Sequence, residues 1–354
     1  MRGFAVFVVA LLGLALGLTP LADRADAFLL DLQWAALRKF DPRPAPDDII
    51  IVGIDDQTAR TIPEPLPLWH ESLGMALVRI ASAHPRAMAL DLPLPERSFD
   101  DMRGGLDRAL LVGLAAARDN GPFVASLSID SRTRAARTVH APFLALLQEE
   151  RLGIGLLARD ADGVTRRFSL ALPTEDGSFP TLAGRLCAAL SRACGEGLIH
   201  FALGAPYRYL PLQQLLRLSD VQALDRLFRD RIVLIGEAQR FSGRVEVPVN
   251  LAGWETVRDT APGIVVHAQS LRTALAGAPI EATRPISVLV LTLAALLVLM
   301  KDWRLALVTA ALGTVAFVAV ATFSLRSGVH IGVTAAILTL FASAVASRWV
   351  ARLR

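Results

Sequence analysis

Four apolar runs, one at the front of the chain and three crowded at its far end, decide most of what this sequence can become. Residues 4–22, FAVFVVALLGLALGLTPLA, approach the length of a bilayer span. Residues 286–300, 305–325 and 330–347 form the later group, with only KDWR and RSGVHIG at their junctions. The first of the three is 15 residues long, and Pro285 and the interfacial residues around Trp303 can extend it. The sequence therefore predicts four transmembrane helices. Residues 4–22 would also serve as a signal peptide, with small residues at Ala22 and at Ala25-Asp26-Ala27 suited to cleavage. The length of the run and the three later spans favour an uncleaved anchor.

Basic residues in short loops orient such spans. With the N-terminus inside, Arg2, Lys301, Arg304, Arg348, Arg352 and Arg354 all fall on the cytoplasmic side, and the short outer loop keeps only Arg326. Everything between the first and second spans then stands outside. Juxtamembrane Arg24 and Arg284 count mildly against this arrangement. The chain has 354 residues, 53% of them hydrophobic, so the segment between the apolar ends has room for a core of its own. The expected organisation is an anchor over residues 1–22, a juxtamembrane helix and Pro-rich linker over 23–46, an outer domain over 47–284, three spans over 285–347 and a basic tail over 348–354.

The formal charge is +4, carried mostly by scattered arginines, and no Lys/Arg run is interleaved with aromatics. Nucleic acid is therefore not an expected partner. The two cysteines, Cys187 and Cys194, are seven apart in CAALSRAC. On a continuous helix that separation is roughly 10 Å of rise, too far for a disulfide, so they are expected to be small packed residues that say little about compartment. No neighbouring ligands make them a metal site.

Residues 25–40 have apolar positions at Phe28, Leu29, Leu32, Ala35 and Ala36, a helical spacing that continues the first span as a stalk until DPRPAPDD breaks it. Beyond it, strand-like and helix-like stretches alternate. Residues 49–55, 86–93, 123–129 and 231–237 read as buried strands, and WHESLGMALVRIASAHP and GGLDRALLVGLAAARDNG read as helices. Continuous apolar strands alternating with helices imply an α/β fold with a mostly parallel sheet. The segments around Asp162-Gly163 look like an antiparallel hairpin inserted in it, and GIVVHAQSLRTALAG reads as a strand running into a helix.

Five stretches in order, DDIIIVGIDDQT, RAMALDLPLPE, LGIGLLARDADGVTRRFSLAL, FRDRIVLIGEAQ and PGIVVHAQSLRTALAG, resemble the CHASE2 family of extracytoplasmic sensor domains over residues 47–277. The resemblance implies a receptor of a bacterial inner membrane with its large domain periplasmic. Such proteins usually carry a kinase or cyclase after the third span. Here the sequence stops at Arg354, so the expected output is a cytoplasmic kinase or cyclase acting in trans, with a homodimer as a further expectation. Two local departures stand out. IPEPLPLWHESLG keeps Pro67 and Trp69 but lacks the family's Arg, and the segment after LIG keeps Pro248 but lacks its Asp.

In open α/β sheets ligands sit beyond the carboxyl ends of the strands. Asp55, Asp56, Asp91 and Glu237 all fall at predicted strand ends, and His267 follows the predicted strand near residue 265. Such carboxylates cap the next helix, line a ligand or hard-cation site, or work as an acid/base pair; His267 is either a hydrogen-bonded structural residue or a ligand contact. Arg166 and Arg167 are expected on a solvated surface. LWHES lacks a second His four residues on, no phosphate loop exists, and Ser126 and Ser128 lack a nucleophile elbow. The spans hold no internal acidic residue, against a pump or proton relay. The expectation is thus a non-enzymatic, cofactor-free sensor in a lipid bilayer, with a structural or docking subunit of an envelope complex as the alternative.

Overall fold

The protein, seen in a computed structural model that describes residues 2–130, 132–257, 259–281 and 284–352, divides into two compact units. One comprises Met1–Arg43 with Pro279–Arg354 and the other Pro44–Ala278.

The first unit is helical. Its opening helix, Arg2–Gly17, stops after 16 residues, and Pro20–Phe40 restarts at a 75° bend. The sequence dictates the break. Pro20 sits at the first helical position, where its missing N–H costs nothing, and Thr19 caps the new start by accepting from the Ala22 amide. Residues 25–40 are therefore no stalk prolonging the first span. They belong to the second helix, which packs within this unit: Trp34 is fully buried, and the Gln33 amide donates to Thr322 Oγ1 at 3.0 Å. Asp26 Oδ1 accepts from the amides of Val333 and Thr334 at 2.9 and 2.8 Å, capping the last helix, Thr334–Arg352.

The expectation of four transmembrane helices is reduced. Among the described residues only Trp303–Arg326 is by itself long and apolar enough to cross a membrane. Gly3–Gly17 with Pro20–Phe40 passes only as one broken span, and Val290–Leu299 and Thr334–Val350 are shorter apolar helices. The physical reason is length: a helix of 16 residues spans about 24 Å, short of a hydrocarbon core of about 30 Å. These helices turn large apolar side chains outward, among them Phe4, Phe7, Leu312, Val315 and Phe323, each more than 60% exposed.

The second unit is built on a six-stranded parallel sheet: β1 (Ile49–Ile54), β2 (Ala87–Pro93), β3 (Phe123–Leu127), β4 (Leu152–Ile154), β5 (Arg208–Pro211) and β6 (Ile232–Glu237). Their order is β4-β3-β2-β6-β1-β5, all pairs parallel. Every residue of β1 is buried, as its unbroken apolar run requires. Alternate side chains serve opposite faces. Ile50, Val52, Ile54, Met88, Leu90, Val233 and Ile235 join a core beneath the helices His70–Ser82 and Leu106–Asp119. The other face is covered by Leu182–Ala189 and Gly263–Ala276. The α/β class with a mostly parallel sheet is as the sequence indicates.

Three local readings change. Asp162-Gly163 forms a tight turn without a ladder, and the antiparallel hairpin lies at the next turn signal, Ala171–Thr174 against Gly177–Pro180. The stretch from Gly263 is helical from its first residue, so His267 stands on a helix. Cys187 and Cys194 are joined in a disulfide with Cα atoms 6.2 Å apart. The helix on which the separation was reckoned ends at Ala189, and Ser191, at φ +52°, turns the chain back so that the sulfurs meet.

Candidate functional site

Because β6 lies between β1 and β2, the carboxyl ends that carry the sequence-selected acids are neighbours: Ile54 pairs in register with Glu237, and Gly236 with Asp91. The strand order reverses at this point, where open α/β sheets leave a crevice.

Asp55 is occupied. Its Oδ1 accepts from the amide and the hydroxyl of Thr58, at 2.7 and 2.8 Å, capping the short helix Asp56–Thr61. The Thr58 hydroxyl also contacts Gln213 Oε1. The Tyr209 hydroxyl, on β5, donates to Asp55 Oδ2 at 3.1 Å. Burial, reinforced by the Asp55 charge, raises the phenol above its ordinary value, so it stays a donor. A Cβ on Gly53 would stand 2.5 Å from Tyr209 Oη, so only glycine at this β1 position leaves room for the ring.

Asp55 and Asp56 line an open cleft of about 470 Å³ with Tyr209, Arg240, Trp254 and Glu255. The Tyr209 and Trp254 rings stack, centroids 4.1 Å apart and planes 20° from parallel. Glu255 is held by a two-pronged bond from Arg244, at 3.2 and 2.7 Å. Asp56 Oδ1 has only a long contact, 3.5 Å from the Arg240 amide. The cleft thus offers an aromatic wall beside a carboxylate with acceptor capacity to spare.

The remaining predicted residues do not share this cleft. Asp91 pairs with His267, whose Nε2 lies 3.7 Å from Asp91 Oδ2 and 3.1 Å from the Gly155 carbonyl. Burial pushes the Asp91 carboxyl above the usual carboxylate range, and Glu237 adds to that push. His267 and the hydrogen bond to Ser126 oppose it. A Cβ on Gly155 would strike Ser126 Oγ and come within 3.0 Å of Asp91 Oδ1, so this pair is packed against the Gly155 backbone. Glu237 accepts from the Ser242 hydroxyl at 2.8 Å and lines a different cavity, about 460 Å³, walled by leucines and prolines and by His70. Burial lowers the His70 pKa, against the pull of Asp107, whose Oδ1 lies 3.4 Å from His70 Nδ1.

The expected five-residue crevice is therefore three places: an aromatic cleft with Asp55 and Asp56, a packed Asp91–His267 pair, and an apolar cavity edged by Glu237. Among the described residues no three His, Cys, Asp or Glu side chains converge as metal ligands. Arg166 is not on a solvated surface. It is 2% exposed and paired with Asp160 and Asp162, at 3.1 and 2.8 Å. Sequence reading missed Tyr209, Trp254, Arg240 and Glu255. No local signal marks them, and only the placement of β5 beside β1 brings Tyr209 to Asp55.

A family model for the CHASE2 domain matches residues 5–302. No curated protein and no solved structure matches the chain.

Proposed function

The chain belongs to the CHASE2 domain family of extracytoplasmic sensors, and we propose that it is a receptor of a bacterial inner membrane that binds its stimulus in the Asp55–Asp56 cleft of a periplasmic α/β unit. The observation that carries this reading is the cleft itself: a roomy opening at the strand-order reversal, with a stacked Tyr209–Trp254 wall and Asp56 facing it. Aromatic faces beside a carboxylate suit an organic cation. The domain acts by binding rather than by catalysis. Asp55 is committed to capping its helix, and Asp91 is packed against the Gly155 backbone.

Two further features support the membrane and its outer side. The apolar helices of the first unit expose faces that water would disfavour and lipid would accept. The Cys187–Cys194 bridge is of the kind that persists in oxidising compartments. The signal then passes through the membrane helices to a cytoplasmic kinase or cyclase partner, with the receptor working as a dimer. A stimulus can drive this only by binding one conformation of the outer unit better than the other.

The test is a thermal-shift screen of the full-length protein in detergent against small organic cations. A cognate ligand at a hundredfold over its Kd stabilises the protein by about 2.7 kcal/mol. Trp254→Ala is expected to abolish that shift while leaving the ligand-free melting temperature close to wild type, because Trp254 is only half-buried. A shift that survives Trp254→Ala places the ligand elsewhere. Purification from native membranes with mass spectrometry reads out the partner. A kinase or cyclase in fixed ratio supports signalling in trans, and envelope-complex subunits in its place favour a docking role.

A further inference from the structure

We propose that the α/β unit also carries a pocket for the phosphate of an anionic phospholipid, at the opposite end of the sheet from the stimulus cleft. The pocket, about 420 Å³, lies at the amino-terminal edge and gathers three guanidinium groups from distant parts of the chain: Arg86 just before β2, Arg192, and Arg272 on the helix Gly263–Ala276. One carboxylate is present, Asp48, which accepts from Arg86 at 2.5 Å. Three positive charges against one negative leave the pocket with an excess of two.

Among the described residues, two of the arginines have no carboxylate partner. Arg272 is 4% exposed and lies against the Tyr207 ring, 3.9 Å from its centroid. Its Nη1 donates to the carbonyls of Leu203 and Ala205, at 3.3 and 2.9 Å, while its buried Nε has no partner. Arg192 is exposed and its side chain makes no ion pair among the described residues. Guanidinium forks of this kind match phosphate oxygens two at a time.

The Cys187–Cys194 bridge has a place in this geometry. It closes the short loop that holds Leu190 and Arg192, and so fixes an apolar and a cationic wall together. Leu275 and Pro46 complete the apolar part of the lining. A site that sets guanidinium groups beside an apolar lining fits an amphiphile with an anionic head better than a fully hydrated anion. Connectivity points to the same occupant. Ala45 and Ala276, both in the lining, are each within three residues of a crossing into the apolar helical unit. In sequence, the lining is therefore continuous at two points with the apolar helices.

This inference rests on the membrane anchoring proposed above, and the two are separable. If an alkaline carbonate wash releases the chain from membranes, the anchoring fails. If the chain stays in the pellet, the lipid pocket is judged alone. The test is native mass spectrometry of the full-length chain in neutral detergent, equilibrated with equal amounts of phosphatidylglycerol and phosphatidylcholine. Wild type is expected to retain phosphatidylglycerol preferentially. Arg192→Glu is expected to lower the ratio of the two lipids about tenfold, the loss of one charge-assisted hydrogen bond, and Arg192→Lys to keep most of it. Arg192 is exposed, so these variants should fold, and an unchanged melting temperature checks that they do. Equal retention of the two lipids, or a ratio unmoved by Arg192→Glu, overturns the proposal. So does full displacement of phosphatidylglycerol by millimolar inorganic phosphate, which would make the pocket a site for soluble anions.

Discussion

Gly113→Val is expected to destabilise the α/β unit by about 3 kcal/mol or more, the upper range for forcing extra volume into a packed interior. The helices His70–Ser82 and Leu106–Asp119 touch backbone to backbone where Gly74 meets Gly113. A Cβ on Gly113 would stand 2.6 Å from Gly74 O and closer still to Gly74 Cα, and one on Gly74 would strike Ala109 O. Backbone cannot swing aside as a side-chain tip can, so the helices must separate. Separation uncovers Leu77, Leu110 and Leu114, which belong to the core over β1, β2 and β6. Alanine is the better helix former by about 1 kcal/mol, yet Gly113→Ala meets the same backbone and is still expected to lose stability. Gly104→Ala is the control. A Cβ there meets nothing within 4 Å, and its effect should stay within about 0.5 kcal/mol. Thermal or urea unfolding of the full-length chain, read by tryptophan fluorescence, separates the two. Equal midpoints for Gly113→Val and Gly104→Ala would contradict the close approach.

The second large effect concerns Arg166. Its side chain is 2% exposed, while those of its partners Asp160 and Asp162 are 28% and 38% exposed. The asymmetry decides which side of the pair is costly to lose. Taking both carboxylates away, as Asp160→Asn with Asp162→Asn, removes these two ion pairs from a buried guanidinium. The expected cost is about 3–5 kcal/mol. Arg166→Met removes the buried charge itself and leaves two carboxylates that solvent can reach, so it should cost less than the double variant in the same assay. The acid limb of the stability curve provides a second reading. The Arg166 hydrogen bond holds the Asp162 carboxyl below its ordinary value of 3.8. A depressed folded pKa adds stability that is present above the unfolded value and lost as pH falls through the folded one. Wild type should therefore lose this contribution on acidification below about pH 4, and the double variant has none to lose. A double variant no less stable than Arg166→Met would remove the buried pair from the account.

These cases mark where the sequence speaks plainly and where it does not. The buried strands Ile49–Ile54 and Ile232–Glu237 announce themselves, because a strand covered on both faces must be apolar throughout. The edge strand Arg208–Pro211 has a single neighbour and begins with a charged residue, so nothing in RYLP separates it from a loop. GIVVH carries the β-branched residues of a strand. It is helical because the segment from Ile264 to Ala274 is buried on all sides, and packing overrides propensity there. The cysteine spacing misled because a helical repeat was assumed to continue through Ser191, where the chain reverses. At the apolar ends, hydrophobicity was legible but helix length was not, since the Thr19-Pro20 cap cuts one long run into two helices.

The site divides in the same way. That Asp55, Asp56, Asp91 and Glu237 stand at strand ends follows from sequence, because strand ends follow from apolar runs. Which of them share a cavity depends on β6 inserting between β1 and β2 and on the side chains that fill each face. The stacked Tyr209 and Trp254 come from segments with no common pattern, and only the folded chain puts them together.

The functional reading depends above all on the α/β unit standing on the oxidising side of the membrane. Cys187 and Cys194 are the only cysteines in the chain, so they report on this without engineered sites. The measurement is labelling of intact spheroplasts with a membrane-impermeant maleimide, before and after a membrane-impermeant reductant. The account predicts no labelling at first and labelling after reduction at Cys194, the less buried of the two, with the spheroplasts still sealed. Cysteines that are already reduced, and that label only once the spheroplasts are lysed, would place this unit in the cytoplasm and contradict the account.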